Sequence, residues 1–234
     1  MTLNLSRTPP STKHNNNTQN TPQMKTHNNT ENTPHIKDET VAPTTQSVSP
    51  TATPPAPAPI VSTIRPGISD AMLQRAGICH IDDKTAFERT GNLYPGLWIP
   101  YRNLDGTDMV HGGRPFGRIR MDVPNDKQKY HQEYGSPVRA YLPPCLADFP
   151  KGTPMYLIEG EFKALALLEA GFCAIGLGGI YGYGRQKSTV LLDEIKAVIG
   201  HLAPEQVYFV GDSDMCTNYQ FADAAIKLHK LINN

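Results

Sequence analysis

The sequence predicts an α/β fold in which a parallel sheet is sandwiched by helices, preceded by a small β-rich subdomain and a disordered N-terminal tail. Residues 151–234 alternate short apolar segments with helical ones, residues 97–141 show glycine-interrupted strand patterns, and residues 1–63 contain no aromatic residue. The 234 residues suffice for one or two domains. A net charge of zero argues against a protein that coats polyanions along its whole surface.

Residues 1–63 form the predicted tail. They hold ten prolines and many Thr and Asn residues, and the first aromatic residue of the chain is Phe87. Such a composition cannot bury enough apolar surface to offset the conformational entropy that folding removes. We therefore expect this segment to be disordered and dispensable for folding.

Residues 64–150 are predicted to form the small β-rich subdomain. It begins with a short helix that Ser69 caps and Gly77 ends. Strands are expected in LWIPYRN (97–103) and MVHGGRPFGRIRMDV (109–123), which the turn residues Asp105 and Gly106 separate.

Residues 151–234 are predicted to form the α/β domain. Three apolar strands are predicted, each with a glycine near its carboxyl end: MYLIEG (155–160), CAIGLGG (173–179) and QVYFVGD (206–212). Helices are expected in EFKALALLEA (161–170), STVLLDEIKAVIG (188–200) and YQFADAAIKLHKLI (219–232), the second of them capped by Ser188 and stopped by Gly200. Such alternation favours parallel pairing with right-handed crossovers.

Acidic residues fall at the ends of two of these strands. Glu159 ends the first strand, and Asp212 and Asp214 follow the third. Because sites in open parallel sheets form at the carboxyl ends of the strands, these carboxylates could together hold Mg²⁺, which prefers oxygen ligands. The alternative is that Asp212 and Asp214 only turn the chain and cap the next helix.

Two further segments could bind phosphate. The glycine loop GLGGIYGYG (176–184) matches neither the dinucleotide fingerprint nor a P-loop; it is either a tight connection or, with Arg185 and Lys187, a phosphate cradle. Basic residues interleaved with aromatic ones suit a single-stranded nucleic acid, and a solvated strand face is the alternative. The residues predicted to contact nucleic acid are Arg118, Arg120, Lys129 and Tyr130.

Two long segments, LIEGEFKALALLEAGFCAIGLGGIYGYG (157–184) and VYFVGDSDMCTNYQFADAAIKL (207–228), carry a family resemblance. They resemble the Toprim-like domain of phage- and plasmid-borne replication proteins, in particular an uncharacterised family often fused to primase or helicase modules. That family shares an EGExKA motif, here residues 159–164, and a DxD motif followed by Asn, here residues 212–214 and Asn218. Residues 97–122 and 129–144 are similar to the segment preceding Toprim in bacterial DNA primases.

The resemblance implies a primase-like protein that acts on nucleic acid when a mobile element, phage or plasmid is replicated. Glu159 would serve in acid/base or metal chemistry, and Asp212 and Asp214 would coordinate Mg²⁺, with Mn²⁺ as a substitute. Metal-dependent nucleotidyl or phosphoryl transfer fits such carboxylates. The other motif positions are Glu161, Lys163 and Asn218.

Three features depart from the primase pattern. Lys163 stands where primases commonly have an acidic residue, no zinc-ribbon cysteines precede the core, and the chain ends before the fourth strand that Toprim sheets generally have. We therefore expect a truncated domain with an open sheet edge that invites self-association. Two alternatives stay open: a non-catalytic module that binds single strands for a helicase, in which Lys163 replaces the metal by ion pairing, and a Toprim-type nuclease.

The expected partners are single-stranded DNA or RNA, nucleotides, and a replicative helicase or a downstream replication protein. No apolar run approaches the ~20 residues that span a bilayer, so no membrane partner is expected. The four cysteines lack zinc-ligand spacing, and a cytoplasmic location is expected.

Overall fold

Helices and strands alternate through most of the chain. The computed structural model describes residues 2–4, 67–124, 128–185, 189–213 and 217–233, and of residues 2–4 only the backbone. The strands are β1 (Thr2–Asn4), β2 (Cys79–Ile81), β3 (Gly96–Pro100), β4 (Val110–His111), β5 (Arg114–Pro115), β6 (Gly117–Met121), β7 (Tyr130–His131), β8 (Met155–Glu159), β9 (Cys173–Leu177), β10 (Gly184–Arg185), β11 (Val190–Leu191) and β12 (Val207–Val210). The helices are α1 (Asp70–Arg75), α2 (Asp83–Thr90), a 3-10 turn (Leu146–Asp148), α3 (Glu161–Glu169), α4 (Asp193–Leu202) and α5 (Tyr219–Asn233).

An antiparallel sheet in the order β2-β3-β6-β7 occupies the first half of the described residues. Its central pair, β3 and β6, runs in register from Gly96 opposite Met121 to Pro100 opposite Gly117. The predicted strands are thus confirmed. Gly112 and Gly113 lie between the two strands of the short hairpin β4–β5. Trp98 and Ile119 of this sheet pack with Ala86 of α2 in a small core of their own.

Both helices of this half have clear end signals. Ser69 caps α1 as predicted, since its hydroxyl accepts a hydrogen bond from the Met72 N–H at 3.2 Å. The sequence analysis missed α2, although Asp82 caps it through the Thr85 N–H at 2.8 Å and Gly91 ends it at φ 75°. A mostly β description of residues 64–150 is therefore incomplete.

A parallel sheet in the order β12-β8-β9 forms the second half and confirms the predicted α/β architecture. α3 connects β8 to β9, whereas α4 leads from β9 to β12 on the other side of β8. Because crossovers between parallel strands are right-handed as a rule, the opposite directions of these two connections assign the two helices to opposite faces of the sheet. The α5 helix packs through Phe221, whose ring stacks on Phe209 of β12 with centroids 4.6 Å apart.

The predicted helix over residues 188–200 has different ends in the structure. The hairpin β10–β11 precedes it, α4 begins only at Asp193, and the predicted N-cap Ser188 lies outside the described residues. The Leu192 N–H donates to the Tyr183 carbonyl at 2.9 Å, so tertiary pairing keeps this segment extended. Gly200 does not stop the helix; Ala203, at φ 43°, ends it.

The N-terminal strand corrects two predictions. Residues 2–4 of the predicted tail form β1, which pairs antiparallel with residues 208–210 of β12. The sequence predicts an open edge of the parallel sheet without assigning it to a strand, and β1 covers the outer edge at β12. The rest of residues 1–63 lies outside the described residues.

Hydrogen bonds join the two halves. The Ser69 N–H donates to Glu169 of α3 at 2.7 Å, and Arg139 donates to the buried Glu194 of α4 at 2.7 Å. The predicted subdomain (64–150) and α/β domain (151–234) are accordingly parts of one compact unit. Over the described ranges, no helix has the length and apolar character needed to cross a membrane.

Candidate functional site

The carboxyl edge of the parallel sheet brings two predicted acidic residues to one place. Glu159 ends β8 opposite Leu177 of β9, and Ile158 lies opposite Val210, the last residue of β12. The chain therefore leaves β12 toward Asp212 at the edge where Glu159 ends its own strand. Glu159 is half-buried and Asp212 is exposed. Asp214 lies outside the described residues.

A lysine neutralises one of these carboxylates. Lys163, the third residue of α3, forms an ion pair through Nζ with Oδ1 of Asp212. Both side chains are accessible to solvent, with 45% of Lys163 and 56% of Asp212 exposed. The cation that the sequence placed near the carboxylates is thus in direct contact with one of them.

Glu161, two residues after Glu159, lies in a buried polar cluster. Only 1% of its side chain is exposed, and its Oε1 accepts hydrogen bonds from Tyr101 Oη and Arg118 Nη1, both at 2.7 Å. Within the part of the chain that the structure describes, Glu161 Oε2 and Arg118 Nε are buried without a hydrogen-bond partner. The sharp turn that sets this position is made by Gly160 at φ 99°, whose N–H donates to the Leu177 carbonyl at 2.8 Å.

Electrostatics keep the phenols and the guanidinium at this cluster in one protonation state. Burial, and then the carboxylate of Glu161, raises the pKa of Tyr101 well above that of an ordinary phenol. Burial opposes the charge of Arg118, but Glu161 and Tyr101 outweigh it and raise the guanidinium pKa. The same two causes, burial first, raise the pKa of Tyr141 beside them. At neutral pH the phenols are therefore protonated and Arg118 is charged.

A basic and aromatic face of the antiparallel sheet meets the first turn of α3. Arg118 and Arg120 alternate with buried residues of β6, and Arg120 lies opposite Tyr130 of β7. The Arg118 Cζ atom lies 4.8 Å from the centroid of the Tyr130 ring, and that of Arg120 lies 5.8 Å from the ring of Phe162 in α3. This face therefore abuts the helix that begins two residues after Glu159.

The four residues predicted to contact nucleic acid differ in exposure. Arg118 is only 18% exposed and is engaged with Glu161, so it supports the junction between the halves more than it faces solvent. Arg120 and Tyr130 are half-buried, and Lys129 is exposed. Their contact with nucleic acid stays a prediction.

The glycine loop (176–184) passes close to Arg118. A side chain at Gly178 would place its Cβ atom 3.3 Å from Arg118 Nη1, so the glycine allows this close approach. Arg185, one of the two cations proposed to help this loop to bind phosphate, forms an ion pair with Asp193 instead. The other, Lys187, lies outside the described residues. These contacts favour the interpretation of the loop as a tight connection.

Asn218, the last motif position, has a local structural role. Its Oδ1 accepts a hydrogen bond from the Gln220 N–H at 3.0 Å, so it caps the start of α5. Sequence reasoning missed Tyr101 as a partner of the motif. The sequence shows only that the hydroxyl-bearing Tyr101 follows the apolar run at 97–100. No local pattern indicates that this hydroxyl reaches Glu161, which lies 60 residues later in the chain.

The donor chemistry at the carboxyl edge fits Mg²⁺. Among the residues that the structure describes, no three His, Cys, Asp or Glu side chains are grouped closely enough to hold a metal ion. Glu159 and Asp212 nevertheless offer two hard carboxylate ligands, and Mg²⁺ in proteins commonly binds one or two carboxylates and keeps several waters. Because both side chains are carboxylates, and neither is a thiolate or an imidazole, they are poor ligands for zinc or copper.

A family model described as a domain of unknown function (DUF3854) matches residues 149–234. The match covers the chain from β8 to α5 and includes Glu159, Glu161, Lys163 and Asp212. No curated protein and no solved structure matches this chain.

Proposed function

We propose that this chain is a Toprim-like, primase-like protein that acts on nucleic acid in the cytoplasm, during replication of a mobile element, phage or plasmid. Its reaction is Mg²⁺-dependent nucleotidyl or phosphoryl transfer. One observation carries the proposal: Glu159 ends β8 and Asp212 follows the adjacent parallel strand β12, at an edge next to the face that bears Arg120 and Tyr130. Carboxylates for a metal and cations for phosphates thus belong to one surface.

Each group has a distinct task in this proposal. Glu159, Asp212 and Asp214 would hold Mg²⁺, or Mn²⁺ in its place, and the bound metal would neutralise charge on the reacting phosphate. Glu159 would also serve in proton transfer. Arg120 and Lys129 bind backbone phosphates and Tyr130 stacks on a base. The partners are single-stranded DNA or RNA, nucleotides, and a helicase or downstream replication protein.

Primer synthesis on a single-stranded template with Mg²⁺ tests the catalytic proposal. The wild-type chain is expected to synthesise primers, and Asp212→Asn and Glu159→Gln should each lower the rate by at least about 100-fold, as when a transition-state charge partner is removed. The control is Asp193→Asn, an exposed carboxylate of α4 in an ion pair with Arg185. Asp193→Asn should leave the rate unchanged. Absence of synthesis by the wild type, or full activity of Asp212→Asn, would contradict the proposal.

The ion pair of Lys163 with Asp212 favours a second candidate, a non-catalytic module that holds single strands for a helicase. The ammonium group occupies an oxygen that metal chemistry needs. This candidate predicts oligonucleotide binding that persists when a chelator removes divalent cations, without primer synthesis. Cleavage of the oligonucleotide without added nucleotides would instead identify a Toprim-type nuclease.

Salt titrations test the nucleic-acid surface that both candidates share. Arg120→Ala and Lys129→Ala should each weaken binding and reduce the salt slope by about 0.7, the value for one lost phosphate contact on a single strand. Lys151→Ala is the control, because Lys151 is an exposed lysine that precedes the amino end of β8, opposite to the carboxyl edge. Unchanged affinity and slope in both surface variants would mean that the face is only solvated.

A further inference from the structure

We propose that Lys163 competes with a divalent cation for Asp212 at the carboxyl edge. The lysine thereby sets the affinity of this edge for the metal, and its ammonium group leaves Asp212 when the metal binds. The inference rests on the proposed function, since it concerns the metal site named there. It goes further in assigning a role to a lysine of the chain itself.

Direct contact makes the lysine and the metal mutually exclusive. Nζ of Lys163 contacts Oδ1 of Asp212, and Asp212 is one of the two described carboxylates at this edge. A divalent cation that uses the same oxygen meets a like charge there, so one of the two cations must leave.

The position of Lys163 in its helix is unfavourable without this partner. It is the third residue of α3, within the first turn, where the partial positive charge of the helix end repels cations. Glu161 in the same turn has the sign that the helix end favours, but its carboxylate is used by Arg118 and Tyr101. The ion pair with Asp212 offsets the charge of Lys163.

Exposure makes this ion pair exchangeable. Lys163 and Asp212 are 45% and 56% exposed, and ion pairs this accessible to water hold their partners weakly. The neighbouring pair of Glu161 and Arg118 is 1% and 18% exposed, so its separation would leave charges in a dry interior. The edge thus combines a fixed ion pair with one that a cation from solution can open.

Titration of the 234-residue chain with Mn²⁺ alone, followed by electron paramagnetic resonance, tests the inference. Lys163→Ala and Lys163→Gln should both bind Mn²⁺ about fivefold more tightly than the wild type, because a competing and repelling charge is removed. The matched control is Lys196→Ala, since Lys196 pairs with Asp193 on α4 and is 51% exposed. Its Mn²⁺ affinity should equal that of the wild type.

Asp212→Asn completes a double-mutant cycle. In the Asp212→Asn background, Lys163→Ala should no longer tighten binding, because the shared oxygen ligand has lost its charge. The inference is overturned if Lys163→Ala binds Mn²⁺ no more tightly than the wild type, if Lys196→Ala gains as much, or if no variant binds Mn²⁺. The exposure of Lys163 predicts that each variant folds, which the melting temperature checks.

The same variants separate this inference from the proposed function. Tighter Mn²⁺ binding by Lys163→Ala in a chain that neither makes primers nor binds oligonucleotides would contradict the proposed function and support the inference. Metal-dependent primer synthesis with equal Mn²⁺ affinity in wild type and Lys163→Ala would do the reverse.

Discussion

Arg118 of β6 donates from Nη1 to Oε1 of Glu161 in α3 across 2.7 Å, with 18% and 1% of the two side chains exposed. The bond joins the antiparallel sheet to the helix that begins beside the carboxyl edge of the parallel sheet. Taking both charges out of water is costly, and their attraction offsets that cost only while both are present. The pair therefore fixes where the basic face of β6 lies relative to Glu159.

Removal of Glu161 should destabilise the protein strongly. Glu161→Ala leaves the guanidinium of Arg118 buried without its counter-charge, for which we expect a loss of about 3–5 kcal/mol in the free energy of unfolding. Tyr101→Phe removes one hydrogen bond to the same oxygen and should cost about 1 kcal/mol. Urea unfolding monitored by circular dichroism measures both.

A matched exposed pair serves as the control for Glu161. Lys196→Ala breaks the ion pair with Asp193 on α4, where 51% and 62% of the two side chains are exposed, and should cost less than about 1 kcal/mol. If Glu161→Ala prevents folding, Tyr101→Phe still gives a measurable value. Wild-type stability of both Glu161→Ala and Tyr101→Phe would show that the cluster does not hold the halves together.

The N-terminal strand should contribute to stability and solubility. Leu3→Pro removes a backbone N–H from β1, which pairs with β12, and should lower the melting temperature by a few degrees, as expected for about 1 kcal/mol in a chain of this size. It also exposes the edge of β12, so light scattering should detect self-association. Leu3→Val keeps the N–H and should behave as the wild type. A monomeric Leu3→Pro variant with an unchanged melting temperature would exclude a stabilising role for β1.

His131 should make stability depend on pH. Burial lowers the pKa of His131, and Nδ2 of Asn92, which can only donate, lies 2.8 Å from its Nε2, so the ring accepts this bond when neutral. Because the folded-state pKa lies below the unfolded-state value of about 6.5, the unfolded chain binds more protons, and stability falls as the pH drops through that value. The melting temperature of the wild type should therefore decrease more between about pH 7.5 and about pH 5.5 than that of His131→Gln.

His229→Gln is the control for this measurement, because His229 is exposed on α5. It should keep the pH dependence of the wild type. An equal decrease in melting temperature for the wild type and His131→Gln would mean that other groups carry the dependence.

Local patterns were sufficient to predict the three parallel strands of the α/β half. The apolar runs at 155–160, 173–179 and 206–212 became β8, β9 and β12 because short buried strands between helices pair in parallel. The same reasoning put Glu159 and Asp212 at one edge, since parallel strands end on the same side of a sheet. It also predicted the end signals of α1, because Ser69 acts on a residue only three positions away.

Only the tertiary structure decided how distant segments meet. The pairing of Thr2–Asn4 with β12, the late start of α4 behind the β10–β11 hairpin, and the contact of Lys163 with Asp212 all depend on partners outside the local pattern. The periodicity of a segment encodes which of its faces is apolar, but not which other segment will cover that face. In the sequence, Glu161 is therefore indistinguishable from any other acidic residue in the first turn of a helix. It becomes a buried ion-pair partner only because folding brings Tyr101 and Arg118 to it.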